Sequence, residues 1–259
     1  MEQYEVKGLV VRESPQGDND KLLTLVTEEL GRVVVIGKGV KSLKSKHMPA
    51  TQCFSYSSFI IRKTNKYFYI ADSEPIESFF GLRSDINKLA LASYICDIAN
   101  DLSLEGTPDV DLLRLTLNTL YAVSNKPAET MPKIKAAYEF RSACIAGFSP
   151  DLSGCCMCAK KTANPMYLDV MNGRLICQDC KYTVSHSEES YDGTAMIYLK
   201  LSPSVLDAMR FLSNAPISKY LSFNIDKTEL PLFSTATEKY LINHLEHGFY
   251  TLEFYKSLI

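Results

Sequence analysis

Two Cys-x-x-Cys pairs, Cys155/Cys158 and Cys177/Cys180, constrain this 259-residue chain more than any other feature, with 18 residues between them. In such a turn both sulfurs can point into one small volume, so each pair is half of a tetrahedral site. The insert is long enough for a hairpin that returns the second pair over the first. Asn172-Gly173 is a turn signal between two β-prone runs, Met166–Val170 and Arg174–Ile176. The spacing reads as a four-cysteine structural Zn2+ site, one ion per chain, whose closed coordination sphere leaves no position for a catalytic water. Disulfides compete only if the chain is secreted. A thioredoxin-like site calls for one pair beside a βαβ pattern. Cys156 lies inside the first pair and could exchange as a ligand, although Cys156/Cys158 is the poorer spacing.

The compartment follows from the rest of the chain. The start, MEQYEVKGLVV, lacks the basic and apolar regions of a signal peptide, and no apolar run approaches the ~20 residues of a membrane helix. Eight cysteines then fit a reducing cytosol, and the expected location is cytoplasmic with no membrane partner.

A net charge of −2 conceals an uneven distribution. Val33–Tyr69 holds seven basic residues (Lys38, Lys41, Lys44, Lys46, Arg62, Lys63, Lys66) and no Asp or Glu, with Arg32 directly before them. Residues 81–259 carry 17 Lys/Arg against 20 Asp/Glu, so the basic character is local.

Strand signals fill the first part of the chain: 4–13, Lys21–Thr27, Arg32–Lys38, Gln52–Arg62 and Lys66–Asp72, with Glu28–Gly31 as a tight connection. Five short strands in about 75 residues predict a closed barrel, with the OB-fold as the five-stranded candidate. Between strands three and four, GKGVKSLKSKHMPA reads as an exposed, mobile basic loop. After Pro75 the period becomes helical. Ser84 is the expected N-cap of a helix stopped by Gly106, a second helix follows Pro108, and a third spans about Pro132–Ala146. Ser202-Pro203 caps a helix to about Asn214, Ser218–Phe223 forms a short one, and the last runs from about Leu232 to Ser257. The expected fold class is α+β and multidomain. An OB-fold domain would cover 1–80, an all-α domain 81–152 and 190–259, and an inserted zinc hairpin 153–189.

Lysines beside a barrel follow phosphates by releasing counterions, without reading sequence. Phe54, Tyr56, Phe59, Tyr67, Phe68 and Tyr69 could stack on bases, but strand alternation turns half of such side chains into the core. A catalytic set is not evident. His47, His186, His244 and His247 are scattered, with His244 and His247 as half a metal site at most, and there is no GxxxxGK[ST], GxSxG or HExxH. A non-catalytic protein is expected, with a protein-binding scaffold and a metal-dependent nucleic-acid enzyme as alternatives.

The run DNDKLLTLVTEELGRVVVIGKGVKSLKSKH (Asp18–His47) resembles the RecO family of bacterial recombination mediator proteins. So does the order of barrel, helices and CxxC…CxxC, the approach Ala146–Leu152 and, in outline, the closing HLEHGFYTLEFYKSL. The resemblance implies a bacterial cytoplasmic, nucleoid-associated protein that binds single- and double-stranded DNA through the OB-fold and anneals complementary strands. With RecR it would assist RecA loading on DNA coated by single-stranded-DNA-binding protein (SSB). By position the resemblance puts DNA on Lys38, Lys41, Lys44 and Lys46, supported by Arg32, Arg62, Lys63 and Lys66. It puts zinc on Cys155, Cys158, Cys177 and Cys180. Lys133, Lys135 and Arg141 on the third helix are candidates for the SSB C-terminal tail. Family loops are often Arg-rich after the Lys-Gly. This one uses lysine, a point charge without bidentate phosphate geometry.

Overall fold

A computed structural model describes residues 2–65, 67–186 and 197–259. Five strands open the chain: β1 (Gln3–Gln16), β2 (Asp20–Thr27), β3 (Gly31–Gly37), β4 (Tyr56–Lys63) and β5 (Phe68–Glu77). They close into a barrel in the order β1-β2-β3-β5-β4, with β1 completing the ring on β4. All pairings are antiparallel except β3–β5, which is parallel and spans only Val35↔Phe68 and Ile36↔Tyr69. A register shift between Val10 and Arg12 lets β1 bend from one partner to the other. This is the OB-like barrel that the alternation of apolar residues predicts.

Period-two alternation fills its interior with Val6, Val10, Leu23, Leu25, Val33, Val35, Phe59 and Ile61, all buried. The β2–β3 connection is held by Thr27, whose Oγ1 accepts from the Leu30 N–H and donates to the Gly31 carbonyl.

The helices are α1 (Ile86–Leu102), α2 (Val110–Asn125) and α3 (Met131–Ile145). Asp85, not Ser84, caps α1, accepting from the Asn87 N–H, while the Ser84 hydroxyl donates to the Gly81 carbonyl. Next come β6 (Asp151–Cys155), β7 (Met166–Asp169), β8 (Arg174–Cys177), α4 (Gln178–His186) and β9 (Tyr198–Leu201). The predicted hairpin is β7–β8, turning at Gly173 with φ +59°, within a four-stranded sheet ordered β6-β8-β7-β9. Then follow α5 (Pro203–Asn214), capped by Ser202 as expected, α6 (Leu230–Leu245) and α7 (Tyr250–Lys256). The single C-terminal helix predicted from Leu232 is therefore two, because Glu246 takes a left-handed conformation at φ +61° and ends α6.

The chain divides into two compact units, Met1–Met131 with Phe249–Ile259, and Pro132–Gly248. In the first, Arg12 Nη2 lies 3.3 Å from Asp97 on α1, and the Thr251 hydroxyl donates to the same carboxylate from α7.

Candidate metal centre and nucleic-acid interface

The sheet of the second unit brings the four cysteines together. Cys155 ends β6 and Cys177 ends β8; α4 starts at the next residue, which places Cys180 in its first turn. The backbone folds tightly after the first pair: the Cys155 N–H donates to the Lys160 carbonyl, and the Ala159 N–H to the Cys155 carbonyl. The sulfurs of Cys155, Cys158, Cys177 and Cys180 all lie within 4.8 Å of one another, and the Cys158 and Cys177 sulfurs are 3.7 Å apart. A tetrahedron with Zn–S bonds of about 2.3 Å has edges of about 3.8 Å, so the cluster is compatible with zinc. Cys156 is not part of it. It is exposed, its N–H is bound to the Leu175 carbonyl, and its sulfur is not among the four that lie within 4.8 Å of one another.

At Cys155 burial pushes the thiol pKa up, but backbone N–H groups of Cys177, Cys158 and Met157 outweigh it and bring it down to about 6. The site thus favours a thiolate before any cation is added, as a metal ligand requires. Among the described residues this is the one group of three or more His, Cys, Asp or Glu placed to hold a metal. His244 and His247 do not form half of another. His244 Nδ1 meets the Tyr240 carbonyl at 2.9 Å with its ring packed on Phe148 and Tyr240, whereas His247 lies beyond the end of α6.

The basic residues gather where the β1–β2 turn, the segment after β3 and the β4–β5 turn meet. The segment after β3 is tied to the barrel at both of its ends, while Lys41–Lys44 between them are exposed. Val40 is buried, the Gly39 N–H donates to Asp20 Oδ1, and the Lys41 N–H donates to the Asn19 carbonyl. On its other side Lys46 Nζ binds Asp72 at 2.9 Å and His47 Nδ1 meets the Ser73 hydroxyl. Lys41 Nζ reaches the Gly17 carbonyl, Lys38 Nζ lies 4.9 Å from the Tyr69 ring centre, and Lys63 Nζ lies 5.8 Å from that of Phe68. Lys38, Lys41, Lys44, Arg62 and Lys63 are all exposed, and among the described residues none has a carboxylate partner.

Arg32 is not in this group. It is the second residue of β3, whereas Lys38 follows the strand's end, about 20 Å away along it, and the Arg32 Nη1 donates to the Asn100 carbonyl at the end of α1. Lys66 lies outside the described residues.

Of the six aromatics, Phe54 and Phe59 are buried, Phe68 packs on the barrel core, and the Tyr56 hydroxyl donates to Glu28. Tyr67 and Tyr69 remain on the basic side. Tyr69 helps line a cavity of about 360 Å3 with Lys38, Arg62, Thr64, Ile70 and Ala71. Thr64 escaped the sequence reading. The parity of β5, with Phe68 inward, was the signal that turns Tyr69 outward.

Lys133, Lys135 and Arg141 do not form the exposed basic face considered for a partner. Lys133 Nζ donates to the Leu221 and Phe223 carbonyls. Lys135 is 4% exposed and sits 2.7 Å from both Glu139 and Glu238. Arg141 Nη1 donates to the Leu212 and Ser213 carbonyls, which closes the C-terminal end of α5. These cations are spent inside the second unit.

Among the described residues no helix is long and apolar enough to cross a membrane. Residues 1–79 match the family model described as Recombination protein O N terminal, and residues 83–253 that described as Recombination protein O C terminal. The chain is similar to the DNA repair protein RecO of Acetivibrio thermocellus, at 27% identity over 100% of this chain and 98% of that protein. It is also similar to those of Alkaliphilus metalliredigens (26%, covering 97% and 98%) and Caldicellulosiruptor saccharolyticus (24%, covering 100% of each).

Proposed function

The chain belongs to the RecO family of DNA repair proteins, and from that premise we propose that it is a non-catalytic mediator that holds DNA strands on the basic side of its barrel. The single observation that carries this reading is the set of five exposed cations around the end of β3 that have no carboxylate partner among the described residues: Lys38, Lys41, Lys44, Arg62 and Lys63. Lys46 joins them when phosphate competes with Asp72 for its ammonium. Such a face neutralises phosphates on two strands and lowers the repulsion that keeps complementary strands apart. Base pairing then supplies the specificity of annealing. Both single- and double-stranded DNA present the phosphates this requires.

Family membership supports the wider setting: the bacterial cytoplasm, at the nucleoid, where with RecR the protein assists RecA loading on DNA coated by SSB. The four cysteines would hold one structural Zn2+. Bound there, the ion supplies a cross-link between β6, β8 and α4, and the chain's own thiolates fill its coordination sphere.

The test is fluorescence anisotropy of a labelled single-stranded oligonucleotide across a salt series. Replacing Lys41, Lys44 and Lys46 by Ala is expected to weaken binding at low salt. The log–log salt slope should become shallower by about two, at roughly 0.7 for each phosphate left without its lysine. An unchanged slope in the folded triple variant would overturn the assignment of DNA to this face.

A further inference from the structure

We propose that the cavity beside the end of β3 takes one unpaired nucleotide of single-stranded DNA, its base against Tyr69 and its phosphate between Lys38 and Arg62. This rests on the nucleic-acid reading above and adds a component that depends on bases rather than on charge.

The cavity exists because of the weakest seam of the barrel. β3 and β5 pair at only two positions, the second being Ile36↔Tyr69, and β3 ends one residue later at Gly37. Beyond it lies a notch of about 360 Å3, within the size range of small-ligand sites. Its lining is divided by chemistry. Ile70, Ala71 and the Tyr69 ring give an apolar wall, and Lys38 and Arg62 give two cations. Arg62 Nε donates to the Gln3 side chain 3.2 Å away, which aims the guanidinium, while its two terminal nitrogens have no partner among the described residues. The Thr64 hydroxyl donates to the Tyr67 carbonyl and accepts from the Tyr67 N–H at 3.4 Å, which leaves its second lone pair to accept from a base amino group. A ligand that is flat and weakly polar at one end and anionic at the other satisfies both halves. A nucleotide is such a ligand.

The ring is already occupied by Lys38, whose Nζ stands 4.9 Å from its centre. Releasing an exposed cation–π contact weakens binding by roughly two- to fivefold. A base stacked on an aromatic strengthens it by roughly fivefold to over a hundredfold. The exchange is therefore favourable, and the lysine it releases is free to meet the phosphate. A base within a duplex is paired and stacked, so only an unpaired one reaches the notch without being flipped out. The cavity thus favours single strands, whereas the surrounding lysines do not discriminate.

Binding of an oligothymidylate is to be compared with that of an oligomer of equal length and charge that lacks every base. Wild type should hold the base-bearing strand roughly tenfold more tightly. Tyr69→Leu should abolish the difference with its salt slope unchanged, and Tyr69→Phe should keep it. Should Tyr69→Leu fail to fold, photocrosslinking of wild type to a 5-iododeoxyuridine strand, mapped by mass spectrometry, must mark Tyr69. Equal affinity of wild type for both strands, a base dependence that survives Tyr69→Leu, or crosslinks only elsewhere would overturn the pocket while leaving the charged face intact. If wild type retains neither strand at low salt, the nucleic-acid reading itself falls, and the pocket with it.

Discussion

Lys46 and Asp72 meet at 2.9 Å, Nζ to Oδ1, and Asp72 is the only carboxylate within ion-pair distance of the Lys38–Lys46 segment among the described residues. Hydrogen bonding from Lys46, joined by the Ser73 N–H, holds the Asp72 carboxyl below its ordinary pKa, so it stays ionised wherever DNA would bind. His47 lies 3.8 Å from the same oxygen. The acid therefore competes with phosphate for Lys46. Both partners are exposed, and such a solvent-screened pair contributes little to stability. Asp72→Asn is expected to leave the unfolding midpoint nearly unchanged. It should raise single-strand affinity by about fivefold at 0.1 M salt, the effect of one more neutralised phosphate. Titration of the variant beside wild type checks this, and equal or weaker binding would show that Lys46 does not reach DNA.

Gly31 is required by its neighbours as well as its backbone. Its φ is +66°, and a Cβ built there would stand 2.3 Å from the Leu104 carbonyl oxygen and 2.6 Å from that of Thr107. The Arg32 N–H donates to the Leu104 carbonyl across the same contact, which ties the β2–β3 turn to the chain after α1. Gly31→Ala adds about 1–2 kcal/mol for the left-handed backbone, before the clash is relieved. A loss of at least about 2 kcal/mol in urea unfolding is expected. Gly17, also at positive φ but with nothing within 4 Å of its Cβ position, should cost less under the same change. Equal losses at the two sites would refute the steric account.

Lys135 is buried between two carboxylates. Glu139, fully buried, also accepts from the Thr237 hydroxyl, and Glu238 completes the cluster from α6. Burial alone would lower the Lys135 pKa, but Glu139 and Glu238 outweigh it and raise it. With the folded value above the unfolded one, the stability linked to this ammonium is present throughout the neutral range. It is lost as pH rises through the raised value. Lys135→Met leaves two facing carboxylates, one with no exposure to water, and should cost about 3–5 kcal/mol at pH 7. Adding Glu139→Leu should recover part of that. A single-variant loss under about 1 kcal/mol would show that water or relaxation already satisfies Glu139.

What could be read from the chain was what repeats locally. Alternation at Leu23/Leu25, Val33/Val35 and Phe59/Ile61 gave the barrel, Ser202-Pro203 gave the start of α5, and the cysteine spacing gave the cluster. The failures came from partners distant in sequence. Glu238 lies 103 residues from Lys135, so a cation destined for burial reads like any solvated helix lysine. Ser84 and Asp85 are both good caps, and only the extended φ of −146° at Asp85 selects between them. The break after α6 falls on Glu246, which carries no turn signal of its own. α4 went unread because it follows directly on the second cysteine pair, where the metal-site pattern masks a helical one. The contacts that tie the basic loop to the barrel run to Asp20 and Asp72, both outside the acid-free stretch that first drew attention to it.

Metal removal should act on one unit of the chain. The four cysteines join the ends of β6 and β8 to the start of α4, and the sheet they anchor carries the buried side chains Leu168, Leu175 and Leu201 of the second unit. Without a cation the thiols must share protons in the same volume. Hydrogen bonding to Cys177 and Cys158 pushes the Cys180 pKa up while that of Cys155 is brought down, so the site then holds mixed thiol and thiolate. A bound ion replaces those protons, and its binding energy adds directly to folding. The purified chain is expected to release about one Zn2+ on treatment with a mercurial reagent, read with a metallochromic dye. Calorimetry should then show a lower transition for the second unit and little change in the barrel, whose core contains no cysteine. Cys177→Ser should reproduce the loss, whereas Cys156→Ser, outside the cluster, should retain both metal and melting temperature. Full zinc retention in Cys177→Ser, or loss of zinc in Cys156→Ser, would reassign the ligands.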